Sequence, residues 1–247
     1  MRSVNSLSNI LEIRDISRSF HGRTVLQSIH LQVERGELFG LLGPSGSGKT
    51  TLIKLMTGMD RSDSGEIHIL GEKVPKLSLL KRIGYMAQSD ALYNELTARQ
   101  NLQFFASLYG LSGVRRNERI DAVLRVVDLL DHKDKTVAAY SGGMKRRLSL
   151  AISLLHEPEL LILDEPTVGI DPVLRQSIWQ ELLALRDQGT TIILTTHVMD
   201  EADKCDRIGL IRDGHLTAVD SPAALKERSG TTTLENAFIV LGGGVLA

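Results

Sequence analysis

The chain has 247 residues, 42% of them hydrophobic and 24% charged, which is ordinary for an α/β protein with a sizeable core. A formal net charge of -1 and a pI near 6.7 supply no bulk attraction to nucleic acid or to an anionic lipid surface. Cys205 is the sole cysteine, which rules out an internal disulfide and fits a reducing cytosol; residues 1–6 lack the apolar stretch of a signal peptide, and no uninterrupted apolar run reaches the length of a membrane span, so secretion and self-insertion are not expected.

In chain order, β-like segments are predicted over residues 11–16, 25–33 and 37–42. The last runs into Gly43-Pro44-Ser45-Gly46-Ser47-Gly48-Lys49-Thr50-Thr51, which fits Gly-x-x-x-x-Gly-Lys-[Ser/Thr]. An apolar strand precedes it and residues 51–56 open a plausible helix, so the motif has the strand-loop-helix context of a phosphate cradle. Glycines let successive N–H groups turn toward an anion, and the helix adds its positive end. Lys49 would reach the β- and γ-phosphates and Thr50 would ligate magnesium; the competing reading is a Gly/Ser turn that fits by chance. The nucleotide and its use stay open at this point.

A further β-like segment over 66–70 follows the turn signal Asp63-Ser64-Gly65. Gln88, after Tyr85-Met86-Ala87, offers a carbonyl oxygen to magnesium or water and an amide donor, although alone it is unremarkable. From Thr97 the periodicity becomes helical over 98–109 and 117–130, with Gly110-Leu111-Ser112-Gly113 as a breaker, and this region reads as a helical insertion.

Tyr140-Ser141-Gly142-Gly143-Met144-Lys145-Arg146-Arg147-Leu148 reads as a Ser-Gly-Gly turn opening a helix that continues through Leu155. A hydroxyl and two glycines at a helix start make a second anion site, with a capped surface helix and a solvated basic face as the alternative. A chain with one phosphate loop has use for a second pincer only if the pincer serves a nucleotide held by another copy.

Residues 160–163 form a buried strand that delivers Asp164-Glu165-Pro166 to its carboxyl end, where α/β sheets place their sites. Asp164 would hold magnesium through its outer shell or a water, and Glu165 would polarise the attacking water as general base; a solvated acidic turn is the bland alternative. A helix over 174–186, a strand over 191–194 and a helix over 198–204 restore βα alternation. His197 ends the run Ile192-Ile193-Leu194-Thr195-Thr196, placed to contact a γ-phosphate or the glutamate-bound water, or to serve the structure alone. No internal repeat, heptad run or low-complexity linker is present.

Taken in order, these motifs resemble the ATP-binding subunits of ABC (ATP-binding cassette) transporters across nearly the full chain. Walker A matches Gly43 to Thr51, the Q-loop Gln88, the signature Ser141-Gly142-Gly143, Walker B Leu160 to Asp164 with Glu165 following, the D-loop Gly169-Ile170-Asp171 and the switch histidine His197. The aromatic that family members stack on adenine corresponds to Phe20, where tyrosine is commoner and a core Phe is the alternative. Tyr140 and Met144 depart from the usual Leu-Ser-Gly-Gly-Gln, and Tyr-Ser-Gly-Gly-Met is similar to a branch of exporters that resemble daunorubicin-resistance and nodulation ATPases. Leu92-Tyr93-Asn94-Glu95-Leu96-Thr97, Asn101-Leu102, Phe104-Phe105 and Leu234-Glu235-Asn236-Ala237-Phe238 agree with that branch. Ile170 for Leu in the D-loop is near-isosteric.

The resemblance implies an α/β fold of the P-loop NTPase class, ABC type: a RecA-like parallel-sheet core with an antiparallel β subdomain and a helical subdomain. It implies one domain over 1–247, with core and β subdomain in about 10–88 and 157–247 and the helical subdomain in about 89–156. ATP and Mg2+ are the implied cofactors. A transmembrane permease subunit and a second ATP-binding subunit, a homodimer since every motif is present, are the implied partners. No nucleic acid is expected, and the location implied is cytoplasmic, peripheral on the inner face of the membrane. Ser141, Gly142 and Gly143 would cover the partner's ATP, and the region from Gln88 to Tyr109 would dock a cytoplasmic helix of the permease. Two alternatives share the catalytic residues: a soluble ABC-type ATPase acting on nucleic acid or ribosomes, and an importer ATPase.

Overall fold

The computed structural model describes residues 9–89 and 91–244; the opening residues 1–6 read above lie outside them. The chain divides into two compact units, one reaching to Leu79 and resuming at Thr191, the other running from Leu80 to Thr190.

The first unit opens with an antiparallel sheet in the order β2-β1-β4-β5, from β1 (Asn9–Phe20), β2 (Arg23–Glu34), β4 (Ser64–Ile69) and β5 (Glu72–Lys73). Ile10, Leu11, Ile13 and Ile16 of β1 and Leu26, Ile29, Leu31 and Val33 of β2 are buried. The two-residue turns His21-Gly22 and Leu70-Gly71 have positive φ at both positions, the twist that lets a tight hairpin follow right-twisted strands.

In the same unit β3 (Leu38–Leu42) pairs in parallel with β8 (Thr191–Thr196) and β9 (Arg207–Arg212), and β10 (His215–Asp220) returns antiparallel to β9 through Asp213-Gly214. β3 and β8 are buried at every residue, as strands covered on both faces are. α1 (Lys49–Met56) follows β3 directly. α6 (Met199–Ala202), α7 (Pro222–Ser229) and α8 (Leu234–Leu241) complete the unit.

The second unit sets a parallel pair, β6 (Ile83–Met86) and β7 (Leu160–Asp164), among α2 (Ala98–Leu108), α3 (Gly113–Val126), α4 (Gly142–Leu154) and α5 (Pro172–Asp187). α2 starts at a reciprocal cap: Thr97 accepts from the Gln100 amide while the Gln100 side chain accepts from the Thr97 amide, an arrangement worth about 1 kcal/mol. Asn101, fully buried one turn on, bonds the Tyr93 amide and the carbonyls of Tyr93 and Thr97, so the chain ahead of α2 is tied to the helix.

The structure moves several predicted elements. α1 begins at Lys49, because Gly48 at φ 108° is its cap. α3 begins at Gly113, inside the predicted breaker, and ends at Val126, with Leu130 already in a 3-10 turn. The helix predicted over 198–204 is a single turn. β9, β10, α7 and α8 were not predicted as elements; the apolar stretch of β9 is only four residues between Arg207 and Arg212, too short to separate strand from helix by periodicity. Among the described residues no helix is long and apolar enough to cross a membrane.

Candidate functional site

The phosphate loop leaves the carboxyl end of β3 and turns into α1. Its backbone is pressed from behind: a Cβ on Gly43 would stand 2.3 Å from the Ile211 carbonyl, and one on Gly48 would stand 2.7 Å from Leu26 Cδ2. The opposite side is open, with Pro44, Ser45 and Gly46 exposed and nothing within 4 Å of a Cβ on Gly46. Lys49, only 5% exposed, folds over the loop and donates from Nζ to Gly43 O at 2.7 Å and Pro44 O at 3.0 Å.

Ser47 Oγ is buried with no hydrogen-bond partner among the described residues. Thr50 and Thr51 lie half-buried on the first turn of α1, which holds no acidic residue. A concave backbone, a buried ammonium, an unspent hydroxyl and a helix N-terminus together fit a polyphosphate.

His197 lies beside this loop by strand register. Leu42 pairs with Thr196, so Gly43 and His197 are the next residues off adjacent parallel strands. The turn carrying His197 is set by a group that sequence reading missed: the buried Glu201 carboxylate accepts from Thr196 Oγ1 at 2.8 Å, and Thr196 Oγ1 accepts from the Val198 amide at 3.0 Å. Phe20, at the end of β1, is 39% exposed and stands outside the core. The Arg18 guanidinium sits 4.4 Å from its ring centroid and is anchored by Asp60 and Asp63.

Gln88, Asp164, Glu165 and Ser141 to Gly143 belong to the second unit. Met86 pairs with Leu163 as the last rung of β6 and β7, which brings Gln88 and the two carboxylates to one end of that pair. Asp164 is 1% exposed and Glu165 half-buried, whereas Gln88 is exposed. Burial, reinforced by the Asp164 charge, pushes the Tyr85 hydroxyl up to about 12.

The basic run of α4 is not a uniformly solvated face: Lys145 and Arg147 are half-buried, and Arg146 is buried. Arg146 is 6% exposed and donates to the carbonyls of Ala87 at 2.6 Å, Gln88 at 2.9 Å and Glu165 at 2.7 Å, and to that of Asp164. Ser141 caps α4 by accepting from the Met144 amide at 3.2 Å, so its oxygen is already engaged while its O–H is free to turn outward. Ser141 and Gly142 are exposed, and a Cβ on Gly142 would meet nothing within 4 Å. Tyr140 is a core residue whose hydroxyl donates to His132 O at 2.8 Å.

The profile of the family described as "ABC transporter" matches residues 26–168, more than half of the chain, and takes in the phosphate loop, Gln88, the Ser-Gly-Gly turn and the carboxylate pair. The chain belongs to the ABC transporter family. It is 41% identical over 239 residues to the probable multidrug ABC transporter ATP-binding protein YbhF of Escherichia coli K12, covering 94% of this chain and 41% of that one. It is 42% identical over 240 residues to the Nod factor export ATP-binding protein I of Sinorhizobium fredii, covering 94% and 70%.

Among solved structures, an ATP-binding subunit of an ABC transporter superposes with a TM-score of 0.87 at 28% identity, covering 94% of this chain and 99% of that one. The ATP-binding cassette MJ0796, a dimer in a post-hydrolysis state with ADP and Pi, superposes with a TM-score of 0.79 at 26% identity, covering 85% and 98%. The fold is thus that of an ABC-type ATPase, with parallel and antiparallel sheets and helices as the resemblance implied. The ABC chain spans about two fifths of YbhF, the first relative named, and seven tenths of the Nod factor protein.

Proposed function

We propose that this ABC cassette binds and hydrolyses ATP as one half of a dimer and energises export by a separate membrane permease. One observation carries the proposal: the chain holds a complete phosphate loop and also a second exposed helix start, Ser141-Gly142, open to an anion. Two copies arranged head to tail would use both, each phosphate loop holding an ATP that the other copy's Ser141, Gly142 and Gly143 cover.

Within each site Lys49 and the loop amides bind the phosphates, and Phe20 offers its exposed ring to the adenine. Glu165 is the general base that orients the attacking water, and His197 and Gln88 contact the γ-phosphate and that water. Among the described residues no cluster of three or more His, Cys, Asp or Glu could hold a metal. Mg2+ would instead be held by Thr50, Asp164 and Gln88 together with phosphate oxygens, the usual division for this ion, and would neutralise phosphate charge.

ATP favours the closed dimer because it contacts both faces only there, and loss of the γ-phosphate removes that bias. The motion reaches the membrane through the surface after Gln88. Tyr93, Phe104 and Leu108 are exposed there, with Tyr93 and Phe104 edge to face at 4.9 Å, and they offer an apolar seat to a cytoplasmic helix of the permease. The cassette is then peripheral on the inner face of the membrane. The export direction follows the name of the Nod factor relative.

E165Q tests the proposal in a single variant. ATP binding should persist, turnover should fall by about 100-fold or more, and a stable ATP-dependent dimer should appear in light scattering. Unchanged hydrolysis removes Glu165 from the base role, and a monomer at saturating ATP removes the shared site. Co-purification with a polytopic membrane protein separates transport from a soluble role.

A further inference from the structure

The shared end of β6 and β7 sets a problem of unpaired backbone. Met86 and Leu163 form the last rung between the two strands, so Ala87, Gln88 and Glu165 lie beyond it and Asp164 is the final residue of β7. Carbonyls withdrawn from water need donors. Arg146 supplies them from α4, its Nη1 on Ala87 O and Gln88 O and its Nη2 on Asp164 O and Glu165 O, the last of which also accepts from the Val168 amide at 3.4 Å. A guanidinium can do this because its donors diverge in a fixed plane; an ammonium carries all its donors on one atom and cannot span the same four oxygens.

Glu165 adds a second, independent observation. Its φ is 51°, a left-handed conformation that a non-glycine residue keeps only when its surroundings hold it there. The carbonyl that Arg146 grips at 2.7 Å belongs to that residue. The backbone twist that sets the direction of the Glu165 side chain is therefore braced by Arg146, which makes the shorter of the two hydrogen bonds to that carbonyl, together with the local turn to Val168.

We propose that Arg146 is a positioning residue that clamps the backbones of Gln88 and Glu165 to the helix beginning at Ser141, so that the helix start and the two site residues move as one body. The inference rests on the roles proposed above for Glu165, Gln88 and Ser141. Its consequence is a link between the two sites of the dimer: α4 covers the partner's ATP with its N-terminus and aligns the base of its own site with Arg146. Closure of one site then adjusts the other.

R146Q and R146K in the full chain, assayed for ATP hydrolysis beside wild type and E165Q, test the clamp. R146Q should lower kcat by about 100-fold, the scale of a misplaced catalytic group, while KM for ATP stays within about threefold. R146K should restore only a small part of kcat, and the Hill coefficient for ATP should fall toward one in both variants. Wild-type kcat and cooperativity in R146Q overturn the clamp, as does a loss confined to KM. If neither variant folds, or R146K restores full activity, Arg146 is a structural strut or a simple charge and the clamp is again overturned. An E165Q protein that still turns over ATP instead overturns the base role on which the clamp depends, so the two failures are distinct.

Discussion

Lys49 Nζ donates to the Gly43 carbonyl at 2.7 Å, so the ammonium is held inside the loop that its own helix follows. At 5% exposure its charge is largely withdrawn from water, which strengthens the hydrogen bonds it makes. Lys49→Ala removes a charged donor from the proposed phosphate seat and should weaken ATP binding by about 10- to 100-fold, the worth of one hydrogen bond to a charged group. Isothermal titration at fixed ionic strength measures it. Unchanged affinity excludes Lys49 from the phosphate contact.

The two sides of the phosphate loop should respond differently to an added methyl. Gly48→Ala places Cβ 2.7 Å from Leu26 Cδ2 and 2.9 Å from the Val25 carbonyl at a φ of 108°, and should cost about 1–3 kcal/mol. Gly46→Ala meets nothing within 4 Å, leaving only its φ of 80° as a penalty of about 1 kcal/mol. Calorimetric Tm values should rank wild type, then Gly46→Ala, then Gly48→Ala. A reversed order contradicts the packing behind Gly48.

His156 should make stability fall at acid pH. Its ring stacks on Tyr109 with centroids 3.7 Å apart, and its Nε2 lies 3.1 Å from Ile83 O. Burial, and then the nearby Arg119 charge, hold its pKa below the ordinary 6.5. A depressed histidine pKa means the unfolded chain binds the proton first, so this contribution is present above about pH 6.5 and is lost as pH falls toward the folded value. His156→Phe keeps a stacking ring and removes the proton site. Its unfolding free energy, relative to wild type, should improve as pH drops from 7 to 5; a constant difference excludes the effect.

Cys205 should be inert until the chain opens. The thiol is 5% exposed, its Sγ would stand 2.9 Å from a Cβ on Gly40, and burial raises its pKa well above the ordinary thiol range. Thiolate is the reactive form, so labelling by a thiol reagent at pH 8 should be slow in buffer and fast in denaturant. Rapid labelling of the native chain contradicts the packing of Cys205 against β3.

Much of the candidate site was legible because its chemistry is local. The phosphate loop needs positive φ at Gly46 and Gly48, and the Ser-Gly-Gly turn needs a cap beside residues without side chains; both requirements fall within a few consecutive positions. What was not legible lay in partners distant along the chain. Lys145-Arg146-Arg147 reads as one basic run, yet Lys145 bonds Asn94 Oδ1 at 3.0 Å, Arg146 serves four carbonyls, and Arg147 bonds the carbonyls of Val127 and Asp128 at 3.0 and 2.8 Å. Glu201 was overlooked for the same reason, since nothing near it in sequence announces a buried acceptor for Thr196. Asp213-Gly214 was a readable hairpin signal that would have located β9 and β10.

By itself the sequence determined which groups could meet a nucleotide, because glycine spacing, one lysine, paired carboxylates and a helix start are properties of residue type and short-range order. It also determined the α/β alternation, through apolar runs that end in chemistry. Only the tertiary structure decided what holds those groups in place. Arg146 reaches across 59 positions to Ala87 and 19 to Glu165, and a donor's choice of carbonyl depends on which strand ends have left their ladder. That is fixed by the pairing of β6 with β7, not by any local pattern.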